Sequence, residues 1–176
     1  YRELLPIEGD PRTGLYSGFT PLVRAQRLAT RLGVKELYIK DDSVNHPTFS
    51  YKDRVVSVAA TKAVELGFPV FGCASTGNLA GAVAAAAARA GLRSCVFAPS
   101  DLEAGKLVTT AAYGGTLVAG EGTYDDVNRL CSEVAGDLGQ PDHAEVTAVR
   151  SDHPEAARTG DVDVAVLVAL HPVHDA

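Results

Sequence analysis

Apolar and polar positions change their spacing along this chain in a regular order, and that order predicts its elements. Residues 1 to 18 carry Pro and Gly without periodicity and are expected to lie as an extended arm over another surface. "FTPLVRAQRLATRLGV" then places Leu22, Ala25, Leu28 and Leu32 near helical spacing, with Gly33 as the stop. "ELYIKDD" reads as a short apolar strand ending in charge. Ser50 and Asp53 stand at the S-x-x-D spacing of a capping box, which puts Lys52 in the first turn of a helix that runs to about Leu66 and stops at Gly67.

From there strands and helices alternate. "PVFGCAS" is a buried strand, a helix follows over residues 78 to 90 and stops at Gly91, and "RSCVFAP" is the next strand. A helix around residues 106 to 113 ends in Gly114-Gly115, "TLVAG" is a third strand, and Thr123 with Asp126 caps a helix running to 138. Strands alternating with helices through short loops predict an α/β fold, a parallel sheet wrapped by helices. The alanines over 82 to 90 favour helix and allow a helix to approach a sheet closely. After Gln140-Pro141 the texture turns polar and weakly patterned, and "VDVAVLVAL" over 162 to 170 reads as one central strand.

Composition excludes several classes of function. With 46% hydrophobic and 22% charged residues in 176, the chain has the balance of a soluble globular protein large enough to bury a core. Net charge is -6 and the basic residues are scattered, so nucleic acid, which rewards a basic patch, is not an expected partner. No apolar run reaches the ~20 residues of a membrane helix, and no signal sequence is legible near Tyr1, so the expected location is the cytoplasm, with no membrane partner. Cys73, Cys95 and Cys131 lack CxxC spacing and are expected to be buried thiols in a reducing compartment. His171, His174 and Asp175 span a proline near the end of the chain and read as a frayed tail, so no metal is expected.

Two stretches carry candidate chemistry. "GCASTGN", residues 72 to 78, runs a strand into a small-residue loop that opens a helix. Such a loop aims free N–H groups at a guest, and the helix dipole favours an anion. Ser75 and Thr76 add hydroxyls, Gly77 permits close approach, and Asn78 offers an amide that both donates and accepts, so a carboxylate or phosphate is the natural ligand; an ordinary capped βα turn would read the same way. Lys52 follows a stiff turn, Pro47-Thr48-Phe49, and lies upstream of that loop. Taken singly it is a solvated charge or a nucleophile, and lysine nucleophiles are the usual partners of pyridoxal phosphate.

Together, "GFTPLVRAQRLATRLG", "LYIKDDSVNHPTFSYKDR", "ASTGNLAGAVAAAAARAGL" and "YDDVNRL" resemble threonine synthase, a pyridoxal 5'-phosphate enzyme of the tryptophan-synthase-β-like fold, fold type II. The resemblance covers roughly residues 15 to 138 in unbroken order. It implies that Lys52 binds the cofactor covalently and shuttles protons, that Asn78 bonds the cofactor's phenolic oxygen, and that Ser75, Thr76 and Gly77 receive the carboxylate of a small amino-acid substrate. The implied reaction is a lyase step of amino-acid biosynthesis, O-phosphohomoserine and water giving threonine and phosphate. Lys40, Asp53 and Arg54 also match family positions, and charge pairing at a helix start accounts for Asp53 and Arg54.

The resemblance further implies that residues 1–71 are the N-terminal part of the large cofactor-binding domain and 72–140 the small α/β domain, with 141–176 a divergent or truncated tail. The family's glycine-rich phosphate loop and its later polar residue facing the pyridine nitrogen are not legible here, and the break falls near Gln140-Pro141. A cysteate-synthase-like or β-replacing enzyme of the same fold, or a catalytically silent binding domain, are the alternatives. A sheet belonging to an incomplete domain would expose edges and apolar faces, so a homo-oligomer is expected.

Overall fold

The structure, a computed structural model, describes residues 2–14, 16–138 and 167–170. Its elements follow in the order β1 (Leu22–Arg24), α1 (Gln26–Leu32), β2 (Tyr38–Lys40), α2 (Lys52–Glu65), β3 (Val70–Ala74), α3 (Asn78–Ala90), β4 (Arg93–Pro99), α4 (Ala104–Ala112), β5 (Thr116–Gly120), α5 (Tyr124–Leu138) and β6 (Leu167–Leu170). One sheet has the order β5-β4-β3-β6, in which β3, β4 and β5 are parallel and β6 runs antiparallel to β3. The strand expected at 162 to 170 therefore lies at an edge, not the centre, and its residues 162 to 166 are outside those described.

The pleat sorts the sheet's side chains between two cores, because successive residues of a strand point to opposite faces. Phe71, Cys73 and Val96 join α2 and α3 on one face through Val56, Ala60, Val83 and Ala87. Ala74 and Phe97 face α5 on the other, against Val127, Cys131 and Ala135. In α3, residues 79 to 87 are buried without interruption, since the helix lies between the sheet, α2 and α4. Alanine suits that position, giving the highest helix propensity with the least bulk between neighbours. The helix closes at Gly91, whose left-handed φ of 73° lets its N–H reach back to Ala87 and Ala88 carbonyls.

The N-terminal third departs from the expected helix. Leu22 to Arg24 forms a strand and pairs antiparallel with Tyr38 to Lys40, leaving only Gln26–Leu32 helical. Pro21 disfavours helix at the residue before it, Val23 favours strand, and β2 satisfies the backbone, so pairing overrides the apolar spacing. Leu28 and Leu32 keep that spacing but are exposed, and Ala29 is the buried residue of α1. Of the arm expected over residues 1 to 18, residues 8 to 13 do lie along another element: Glu8 N–H donates to Glu65, Arg12 N–H to Thr61 Oγ1, and Thr13 Oγ1 to the Ser57 carbonyl, all on α2.

Candidate active site

Lys52 opens α2, as the capping box predicts. Ser50 Oγ accepts from Lys52 N–H at 3.2 Å, and Asp53 Oδ2 accepts from Ser50 N–H at 3.3 Å. The Lys52 side chain is half-buried, with Nζ 5.2 Å from the centroid of the neighbouring Tyr51 ring. Before it, the loop has a cis His46–Pro47 peptide and a left-handed Phe49 at φ 60°. Asn45, fully buried, ties the loop down by donating to the Ser50 carbonyl and accepting from Gly18 N–H.

Asp53 and Arg54 do not pair with each other. Arg54 reaches Asp42, with Nη2 2.8 Å from Oδ1, and also donates to Thr20 Oγ1. The bonds from Arg54 to Asp42, with one that the Thr20 hydroxyl donates to Asp42 Oδ1, hold the Asp42 carboxyl at about 2, below the ordinary 3.8. Asp53 instead is buried and accepts from Thr48 Oγ1 at 2.8 Å, Thr48 N–H at 3.1 Å and Ser50 N–H. Burial pushes its pKa up; the three hydrogen bonds oppose that shift without cancelling it. Lys40 donates to the Thr20 carbonyl and so closes the β1–β2 end of the same region.

At the other turn, β3 delivers Ser75 and α3 begins at Asn78. Ser75 is buried, and its oxygen accepts from Gly77 N–H at 3.2 Å and Ala80 N–H at 3.3 Å, which leaves its hydroxyl proton to donate. Ser75 N–H is itself anchored on the Phe97 carbonyl. Thr76 and Gly77 are half-buried, Asn78 is exposed, and a Cβ placed on Gly77 would meet nothing within 4 Å.

A cleft of about 160 Å³ joins the two turns, lined by Thr48, Gly77, Asn78, Gly81, Gly105, Lys106 and Thr109. The structure thus brings Gly77 and Asn78 together with Thr48 of the loop that leads into Lys52, while Lys52, Ser75 and Thr76 are not among the lining residues. Thr48, Lys106 and Thr109 were not legible as site residues. Lys106 and Thr109 come from α4, which approaches α3 where Gly81 lacks a side chain: a Cβ there would lie 2.9 Å from Thr109 Cγ2. No local sequence pattern encodes that packing.

These residues fit the ring-and-aldehyde end of the cofactor that the resemblance implies. An amine stands at one turn, and an exposed amide beside an open glycine and the first N–H groups of a 13-residue helix stands at the other. The cysteines are elsewhere: Cys73 and Cys131 are buried in the two cores, and burial raises both thiols, Cys131 to about 12. Among the described residues no group of three or more His, Cys, Asp or Glu could hold a metal, and no helix is long and apolar enough to cross a membrane. His171, His174 and Asp175 lie outside the described residues.

Comparison with known proteins gives the family of the chain. The family described as pyridoxal-phosphate dependent enzyme matches residues 14–158. Threonine synthase of Methanosarcina acetivorans is 41% identical over 138 residues, covering 76% of this chain and 34% of that protein. Threonine synthase of Synechocystis sp. is 36% identical over 178 residues, covering 98% of this chain and 45% of that protein. The chain thus spans less than half the length of these relatives. Among solved structures, the processed form of threonine deaminase isoform 2 from Solanum lycopersicum superposes with a TM-score of 0.59 at 28% identity, over 67% of this chain and 32% of that one.

Proposed function

Since this chain belongs to the family of pyridoxal-phosphate dependent enzymes, we propose that it carries the cofactor lysine and the substrate-carboxylate loop of a threonine-synthase-like enzyme. The overall reaction is conversion of O-phosphohomoserine and water to threonine and phosphate. One observation carries the reading: Thr48, on the loop leading into Lys52, and Gly77 and Asn78, opposite, line a single cleft. Identity of 41% to a threonine synthase supports the choice of substrate.

When bound, pyridoxal phosphate supplies an electron sink that makes the substrate's Cα and Cβ protons removable. Lys52 holds the cofactor through its ε-amine and afterwards takes and returns protons at Nζ. The Asn78 amide orients the ring by bonding its phenolic oxygen. Ser75, Thr76 and the backbone at Gly77 receive the substrate carboxylate, with Ser75 also fixing the loop through its two accepted bonds. Residues 1–71 then belong to the large domain and 72–140 to the small one that closes over the substrate and excludes water. Leu22, 65% exposed, and Ile39, 45% exposed, lie on the two-stranded β1–β2 sheet and support self-association; a monodisperse monomer by light scattering overturns that part.

Similarity to a threonine deaminase favours, as a second reading, an enzyme of the same fold acting on another amino acid. The deciding experiment is titration of the purified chain with pyridoxal phosphate. The unaltered chain should develop the visible absorbance of a lysine-bound cofactor, and Lys52→Ala should not. Identical spectra for the two remove Lys52 from the reading. Release of phosphate from O-phosphohomoserine, but not from O-phosphoserine, separates the first reading from the second.

A further inference from the structure

We propose that Asp53 is a positioning residue for this site: it sets where Thr48, and with it the loop that leads into Lys52, stands against the first turns of α3. The inference rests on the reading of Lys52 and Asn78 given above. A helix cap at this position requires only the bond from Ser50 N–H to Asp53 and the one from Lys52 N–H to Ser50 Oγ. The two bonds from Thr48, through its hydroxyl at 2.8 Å and its N–H at 3.1 Å, go beyond capping.

Those bonds have two consequences for the cleft. Donation of the Thr48 hydroxyl to Asp53 fixes the side chain, whose methyl stands 3.9 Å from the place a Gly81 Cβ would occupy, next to Thr109. Asp53 also grips the residues on either side of Phe49, whose left-handed φ of 60° is disfavoured for an aromatic residue and persists only where its neighbours determine it. One carboxylate, 2% exposed, thereby joins the helix that begins at Lys52 to a wall of the cleft containing Asn78. Its burial is a cost that a cap alone would not require, because Asp at this position of a helix is ordinarily solvated.

The test uses the whole chain with Asp53→Asn, Thr48→Val and Thr48→Ser. Thr48→Val leaves the Ser50–Asp53 pair intact, so it separates positioning from capping. In Asp53→Asn and Thr48→Val, amide exchange of residues 48 to 50 should accelerate while that of residues 56 to 62 stays unchanged. Attachment of pyridoxal phosphate, followed by its visible absorbance, should slow by about 10- to 100-fold, the scale of a misplacement near 1 Å. Thr48→Ser keeps the hydroxyl and should restore both. Uptake equal in the chain and its variants overturns this proposal alone, whatever the exchange rates. Slower uptake accompanied by faster exchange throughout α2 also overturns it, by reducing Asp53 to a cap. Failure of the unaltered chain to take up cofactor overturns the Lys52 reading and this proposal with it.

Discussion

Gly81→Ala sets two effects of similar size against each other. The residue lies inside α3, where replacing glycine by alanine gains about 1 kcal/mol of helix propensity. The added Cβ would stand 2.9 Å from Thr109 Cγ2 and 3.3 Å from Thr109 Cβ, against the ~3.5–4.0 Å at which carbon atoms attract. Thr109 is β-branched and sits in α4, so its χ1 has few alternatives and α4 itself must retreat by roughly half an ångström or more. Overpacking of this kind costs about 1–3 kcal/mol, so the net effect expected is destabilisation by about 1 kcal/mol. Urea unfolding followed by far-UV circular dichroism measures it, with an unchanged slope showing that the unfolded state is the same. Thr109→Ser removes Cγ2 and should recover most of the loss, giving a coupling of about 1 kcal/mol in a double-mutant cycle. If Gly81→Ala alone stabilises the chain, or if Thr109→Ser acts equally in both backgrounds, close packing of α3 on α4 is not what places Lys106 and Thr109 at the cleft.

Three further outcomes are expected. Ser75→Ala removes the acceptor of Gly77 N–H and Ala80 N–H and should cost about 1–2 kcal/mol in thermal or urea unfolding; a loss under a few tenths would show that solvent replaces it. Asp42, held at about 2 against an ordinary 3.8 by Arg54 and Thr20, contributes stability that is present above pH 3.8 and lost as pH falls toward 2. Asp42→Asn should therefore flatten the acid limb of the stability curve, and an unchanged limb would assign acid unfolding to other groups. Burial raises Cys131 to about 12 and Cys73 well above 9, and both thiols favour folding below pH 9; the contribution of Cys131 is lost as pH rises from 9 toward 12. A disulfide reagent at pH 8 should accordingly modify the half-buried Cys95 before either of them, and equal rates at all three would contradict the burial.

Local patterns were enough to find most of the helices and strands from residue 50 onward. The capping box of Ser50 and Asp53 starts α2, the Thr123–Asp126 pair starts α5 with its hydroxyl-to-carboxylate bond at 2.8 Å, and "RSCVFAP" and "TLVAG" form strands over their whole length. Each of these rests on neighbours a few residues apart. The failures lie where distant pairing decides. Leu22 looks helical by its spacing to Ala25, Leu28 and Leu32, yet the later strand at Tyr38 to Lys40 claims its backbone. The strand at 167 to 170 is apolar enough for a sheet centre, but its place at the edge depends on which strands β3 has already paired with.

The candidate site divides along the same line. Lys52 and Asn78 each open a helix, and a residue at a helix start is legible from its caps and stops. The cleft that Asn78 lines is not, because its walls come from three segments, around residues 48, 77 to 81 and 105 to 109, that meet through a missing side chain at Gly81 and a buried carboxylate at Asp53. A capping box predicts the bond from Ser50 and is silent about the two from Thr48, since these need the loop to turn back through a left-handed Phe49. The same aspartate is thus an ordinary cap in the sequence and a bridge to the cleft in three dimensions. Buried carboxylates are where such second uses are most readily detected, because the cost of burial must be offset by bonds that a solvated cap would not form.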